Sequence, residues 1–581
     1  MSRAEPEERA RERLEIALVI LVALAFGASF GWNYLSINQV TYLIPSRRLL
    51  DPELFRNDWF ATRTTQFHPA FALLGALLLS LDPSGWALAI PLTLVVAAGT
   101  SALYWMLRSA AGRKLALPSY LLLVAFAFAT QTRGPGTTYI FEHEFQPSAL
   151  SSAATLAAAA CFVAGRFVAS GAFVALVGIF HVNLLVLFGP ALAIAHVLLG
   201  RRTLGVRLVR QLGPATLVLA AFLPMLLRDA RSIAGEALAR HLYLDVRFAH
   251  HFGLRDHLLD FVPLVAWLAI ALSLSLPLVS DPERVALRRL SALGFGVASI
   301  VLVGVAGPLL APPPLDARIK SLFSWRLTAH AELFLQACAI ASSCALTDPL
   351  LRRRFGRGAL AVASASAVLL VQHYLWRGSR SAGQLLLATL VFVLAMAVAE
   401  RFGRRAAGAS RGGTPSWLRS PRAPALAFGA AALLYFGLGP LRRIREHSNL
   451  LGTTRPCDPS LYRWMREHTP KDALFLTPPT DEFVRYCGER AIVVDWKCIP
   501  GIPAEILDWH QRLKDVTGKN RIDSADDLEG YDELGAARLA ELKARYGITY
   551  VVVRRGHEQA LSSYSRVFED ATFVAFDVNR P

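Results

Sequence analysis

Apolar runs of roughly 15–25 residues recur from Leu14 to Leu441, separated by short charged loops. A helix rises 1.5 Å per residue, so about 20 apolar residues span a hydrocarbon core of about 30 Å. In lipid every backbone N–H and C=O must be satisfied within the segment or within a closed barrel, and runs this long form helices. The chain is 54% hydrophobic and 18% charged. Soluble domains carry about 25% charged residues, so the composition agrees with the runs.

The net charge of +17 could suggest a nucleic-acid partner, but its location argues for membrane topology. Loops 108–114, 200–212, 280–289, 348–358 and 401–423 carry 3, 4, 3, 4 and 6 Lys/Arg, and only Asp281, Glu283 and Asp348 as acids. That excess equals the whole net charge, as cytoplasmic loops under the positive-inside rule require. The tail from Arg442 to Pro581 is balanced, with 21 basic and 22 acidic residues, so no nucleic-acid partner is expected.

Thirteen spans are expected, at 14–36, 86–107, 115–130, 147–165, 167–181, 183–199, 213–227, 258–279, 290–311, 323–347, 359–376, 384–400 and 424–441. Residues 1–13 form a charged cytoplasmic segment with no cleavable signal. The run Phe67–Leu81, entered through His68-Pro69, is read as juxtamembrane or re-entrant, because counting it as a span puts the basic loops outside. The cost is two short spans broken near His181 and Asn183, with one long tilted helix as the rival. This topology places loops 37–85, 131–146 and 228–257 on the outer face, together with residues 442–581.

That tail alternates helix-period and strand-period runs: helices at Ser460–His468, Asp481–Cys487, Ala504–Lys514 and Leu534–Tyr546, strands at Ala473–Thr477, Ala491–Asp495, Ile548–Val553 and Thr572–Val578. The fold class is therefore an α-helical polytopic membrane protein with a C-terminal soluble α/β domain. No glycine-rich phosphate loop opens any tail helix. There is no CxxC among the six cysteines, and an exported tail would allow one disulfide among Cys457, Cys487 and Cys498.

Two outer loops carry the chemistry. The first contains Asn38-Gln39-Val40-Thr41-Tyr42, then Asp51, Glu53, Asp58 flanked by Trp59-Phe60, and His68. The second contains Arg133, Glu142-His143-Glu144 and Gln146. Ionisable groups at membrane level are costly, and burial or like-charge neighbours shift their protonation. A carboxylate there could deprotonate a hydroxyl, and a carboxylate pair could hold Mg or Mn against a leaving pyrophosphate. The candidate catalytic residues are Asp58, Asp51, Glu142 and Glu144. His68, His143, Arg133, Arg326 and His181 are the candidate substrate contacts, Arg326 as a bidentate grip on a lipid-linked phosphate. A solvated loop, a satisfied core histidine and a snorkelling interfacial arginine are the ordinary alternatives.

This order of elements resembles the GT-C glycosyltransferases: an entering span, a long acidic outer loop, a His-Pro interfacial helix, a second acidic loop after the third span, a large loop after the seventh, and an outer α/β tail. The pattern Asp51-Pro52-Glu53-Leu54-Phe55 with Asp58-Trp59-Phe60, and Trp464-Met465-Arg466-Glu467-His468-Thr469-Pro470 in the tail, is similar to a group of uncharacterised bacterial membrane proteins. The resemblance implies transfer of a sugar from a polyprenyl-phosphate carrier, the lipid-linked donor, to an unidentified acceptor at the outer face of a bacterial inner membrane. By analogy the tail would help bind acceptor. Many members place an acid just after the first span, where this chain has the amides Asn38-Gln39. Either Asp51 or Asp58 takes over that role, or the chain is not catalytic; Glu142 and Glu144 match the second acidic position. A transporter or lipid flippase and a non-catalytic assembly factor are the competing functions.

Overall fold

The computed structural model describes residues 4–351 and 448–580, apart from 37, 131–132, 137, 201–203, 230–233 and 453–455. The expected spans 359–376, 384–400 and 424–441, and the loop 401–423, lie outside the described residues. Four described helices are long and apolar enough to cross a membrane: Trp86–Ala110, Leu204–Arg228, Leu258–Val279 and Pro282–Leu310. Pro69–Leu81, Pro147–Val163, Phe167–Phe180 and Val182–Leu198 are apolar but shorter.

Small residues let these helices approach closely, as packing within lipid favours. A Cβ on Gly27 would collide with the Thr93 carbonyl oxygen, and one on Gly296 with that of Ala191. The rival long helix across 167–199 is not formed. His181 is extended (φ −151°, ψ 88°) between Phe167–Phe180 and Val182–Leu198, and Gly178 packs against Leu185 across the turn.

The first span is shorter than its apolar run suggests. Its helix is Ala4–Ala28, not one reaching residue 36, because Gly31 takes a positive φ (83°) and residues 29–36 continue irregularly. This irregular stretch exposes backbone and polar groups that a helix would have used internally. The helix Pro69–Leu81 buries Phe71, Ala72, Gly75, Ala76 and Leu79 and leaves Leu73, Leu77 and Leu81 exposed at four-residue spacing. It lies against Ile44–Leu50, with Gly75 facing Ser46.

A short hairpin, β1 (Arg133–Gly134) with β2 (Thr138–Tyr139), shapes the loop 131–146. The C-terminal sheet contains β3 (Leu474–Leu476), β4 (Ala491–Ile492), β5 (Tyr550–Arg554), β6 (Ser565–Glu569) and β7 (Phe573–Asp577) in the order β4-β3-β5-β7-β6. β3 is parallel to β4 and β5, and β7 is antiparallel to β5 and β6. Helices Ser460–His468, Val484–Gly488, Pro503–Thr517 and Ala536–Tyr546 accompany it. The sequence pattern did not reveal β6, a half-exposed edge strand that lacks apolar alternation.

The C-terminal domain is docked tightly on residues 32–65. Ser448, Asn449 and Leu450 hydrogen-bond residues Trp32, Asn33 and Tyr34. The short helix Val484–Gly488 carries three further ties: Arg485 to Asp58, Tyr486 to the Tyr34 hydroxyl (3.2 Å) and the following Glu489 to Arg47. Glu505 accepts from the backbone and hydroxyl of Thr65 at 3.0 and 2.7 Å.

A Cys457–Cys487 disulfide, closing 30 residues, pins the same helix; Cys498 is free and buried. A loop of that length contributes roughly 3–4 kcal/mol in the chain-entropy model. Cys457→Ala/Cys487→Ala is expected to make residues 457–487 markedly more sensitive to protease on heating, with little change in the transmembrane helices. Equal protease sensitivity with and without the bridge would contradict this.

Candidate functional site

The irregular stretch after the first helix forms a cradle for one carboxylate. Glu144, 6% exposed, accepts from the Ser36 hydroxyl, from Asn38 Nδ2 (2.8 Å) and from the Gln39 backbone N–H (3.1 Å). The Gln39 side chain donates to the Phe145 carbonyl at 3.1 Å. Asn38 and Gln39 therefore help to hold an acid from the loop 131–146. Between the glutamates, His143 turns away: its Nδ1–H donates to the Phe30 carbonyl (2.6 Å), and its own carbonyl accepts from Asn33 (2.9 Å).

Glu142 is the more perturbed carboxyl. Burial, and then the neighbouring charge of Glu144, push it up to about 7, against the opposing pull of Arg326, Gln146 and Lys497. Burial also raises Glu144, opposed by the hydrogen bonds of its cradle and by Lys497.

Arg326 lies in the 3-10 turn Ser324–Leu327 that leads into helix Thr328–Leu351. Its guanidinium sits 5.6 Å above the Phe323 ring and has no hydrogen bond or ion pair among the described residues. Its charge bears on Glu142, Tyr42 and His68. His68 precedes helix Pro69–Leu81, and its Nδ1 meets the Phe180 carbonyl at 2.9 Å. A carbonyl only accepts, so Nδ1 carries the proton and Nε2 is left as the acceptor. Burial holds His68 down to about 4. Its ring lies 5.3 Å from Tyr42 and 5.2 Å from His181, whose Nδ1 is buried with no partner among the described residues. The side chain of Arg133 lies outside the described residues; its backbone forms β1.

The first-loop aspartates occupy other positions. Asp58, fully buried, caps helix Trp59–Arg63 through the Ala61 N–H (2.9 Å) and accepts from Arg485 Nε (2.8 Å) and the Ile492 N–H (3.0 Å). Arg485 also pairs with Asp495, so Asp58, Arg485 and Asp495 form a buried ion triad in the domain seam. Asp51 pairs with Lys471 at 2.8 Å, which holds its carboxyl below the usual range.

Three contributors have no counterpart among the sequence-derived candidates. Lys497, in the loop after β4, donates from Nζ to Asn38 Oδ1 at 2.8 Å. Arg247, at the end of the π-helical turn Leu242–Arg247, donates to the Trp496 carbonyl (2.8 Å) and lies over the Phe248 and Trp496 rings. Arg485 closes the seam. The usable signal was the position of Asp495–Cys498 just past the carboxyl end of a parallel strand, where open α/β sheets present side chains.

Among the described residues no group of three or more His, Cys, Asp or Glu is placed to hold a metal ion. Both oxygens of Glu144 already accept from protein donors.

A family model described as a domain of unknown function, DUF6798, matches residues 459–516, the stretch that contains Arg485, Asp495 and Lys497. No curated protein matches the chain. Similar solved structures include ArnT from Cupriavidus metallidurans bound to undecaprenyl phosphate, 14% identical over 98% of each chain, with a TM-score of 0.48. The same protein in its apo state is also 14% identical over 98% of each chain, with a TM-score of 0.46.

Proposed function

We propose that this chain is a membrane glycosyltransferase of the GT-C kind that moves a sugar from a polyprenyl-phosphate carrier to a hydroxyl of an envelope acceptor on the outer face. One observation carries the reading. The Arg326 guanidinium, unpaired among the described residues, bears on the Glu142 carboxyl, beside Glu144, where the loops 37–85 and 131–146 meet the ends of apolar helices. A donor-only, planar cation suits a phosphate, and a carboxyl poised near neutrality suits a base. Glu142 would take the proton of the acceptor hydroxyl. The acceptor oxygen then bonds to the anomeric carbon as the bond from that carbon to the phosphate oxygen breaks. The departing phosphate keeps the electron pair, and Arg326 stabilises its charge. Glu144 orients the loop, and Asp58 holds the domain seam. The Cys457–Cys487 bridge supports an oxidising, extracytoplasmic location for the tail.

The test begins with binding. Undecaprenyl phosphate, the lipid in the ArnT crystal, is titrated onto the full chain in nanodiscs. Arg326→Gln is expected to weaken binding about tenfold or more, the scale of a lost charge-assisted hydrogen bond. Wild-type protein that binds no polyprenyl phosphate would end the proposal. A transporter of a lipid-linked substrate is the second reading, favoured by the helix break at His181. It predicts that the full chain in vesicles moves the lipid-linked sugar between leaflets without breaking its sugar–phosphate bond.

A further inference from the structure

We propose that Lys497 is a positioning residue for the Glu142–Glu144 pair, which makes the C-terminal domain a wall of the reaction centre. The inference rests on the reading of Glu142 as the reacting base and Glu144 as its neighbour.

The geometry is a relay of donors with a fixed sense. An ammonium only donates and a carboxylate only accepts. Asn38 lies between them, its Oδ1 2.8 Å from Lys497 Nζ and its Nδ2 2.8 Å from Glu144 Oε1. Lys497 therefore selects the amide orientation in which Asn38 donates to Glu144. Without it the amide could turn its oxygen toward the carboxylate and repel it.

Lys497 is itself held by a chain of buried groups. Asp495 accepts from the Cys498 N–H (2.5 Å) and from Arg485, and Arg485 is fixed by Asp58. The Trp496 carbonyl is gripped by Arg247. Asp58 thus reaches the carboxylate pair through five linked groups without touching it. The charges facing Glu142 are Glu144, Arg326 and Lys497, with Gln146 as a hydrogen-bond donor; those facing Lys497 are Glu482, Arg247 and Glu144.

The experiment reads the carboxyl group directly. The full chain in nanodiscs is titrated by difference infrared spectroscopy, and the protonated-carboxyl band of Glu142 is assigned by its loss in Glu142→Gln. Lys497→Met is expected to move the midpoint of that band upward by roughly half a pH unit or more, since a facing positive charge is gone. Lys497→Arg should leave it near the wild-type value. Asn38→Leu breaks the relay from the other side: Glu144 loses a donor to its charged form, so the midpoint of the Glu144 band, assigned by its loss in Glu144→Gln, should rise, and this variant stands in if Lys497→Met does not fold. A midpoint unmoved by the loss of Lys497 or of Asn38, or moved equally by Lys497→Arg, overturns the proposal. Undecaprenyl phosphate binding by the same wild-type samples separates the two claims. Absent binding removes the glycosyltransferase reading, while the infrared result alone decides whether Lys497 governs the carboxylates.

Discussion

Glu142→Gln is expected to lower sugar transfer by about 10²–10⁴-fold, the usual worth of a positioned general base, and to abolish the acidic limb of the pH–rate profile. In the wild type that limb is expected to have a midpoint near 7, because burial and Glu144 hold the Glu142 carboxyl up to about 7. The sign follows from the role. A base works deprotonated, so the rate rises about tenfold per pH unit below the midpoint and levels off above it. Glu144→Gln behaves differently. It removes the like charge that raises Glu142, so the midpoint falls. It also presents an NH₂ group to a cradle built of donors, so the rate falls as well. A flat wild-type profile between pH 5 and 9, or a limb that survives in Glu142→Gln, would exclude Glu142 as the base.

The second large effect is on the domain seam. Arg485→Met leaves Asp58 and Asp495 buried with no cation between them. Breaking a buried ion network in this way costs about 3–5 kcal/mol. Hydrogen exchange should show residues 485–498 and 33–60 opening together, while helix Trp86–Ala110 stays protected. Asp58→Asn alone should cost less, because the Arg485–Asp495 pair persists. The triple variant Asp58→Asn/Arg485→Met/Asp495→Asn should regain most of the loss, since a neutral, well-packed replacement carries no desolvated charge. If Arg485→Met exchanges like the wild type across both stretches, the triad does not hold the seam.

The helical hairpin broken at His181 and the alternation of the tail were legible because both are local patterns of hydrophobic period and length. The end of the first helix was not, since the apolar run continues past Gly31 and only its backbone conformation stops the helix. Asp58 stood out because aromatics flank it. In the folded chain Phe60 lies 5.3 Å from the Arg485 guanidinium, so the same pattern also describes a packed ion pair. Its partner is 427 residues away, a separation no periodicity reports. Lys497 meets Asn38 across 459 residues, so its place beside the carboxylates became visible only in three dimensions.

The hydrogen bonds that Ser448 and Asn449 make with Trp32, Asn33 and Tyr34 bear on any attempt to engineer this protein. The tail is rooted beside the first helix and shares its polar partners with residues 33–65, so it is not an interchangeable head. A transplant that swapped only residues after 448 would strand Asp58, Arg47 and Asn38 against foreign surface. A working chimera would need to carry the stretch from Ser29 to His68 along with its tail, as a single inherited block.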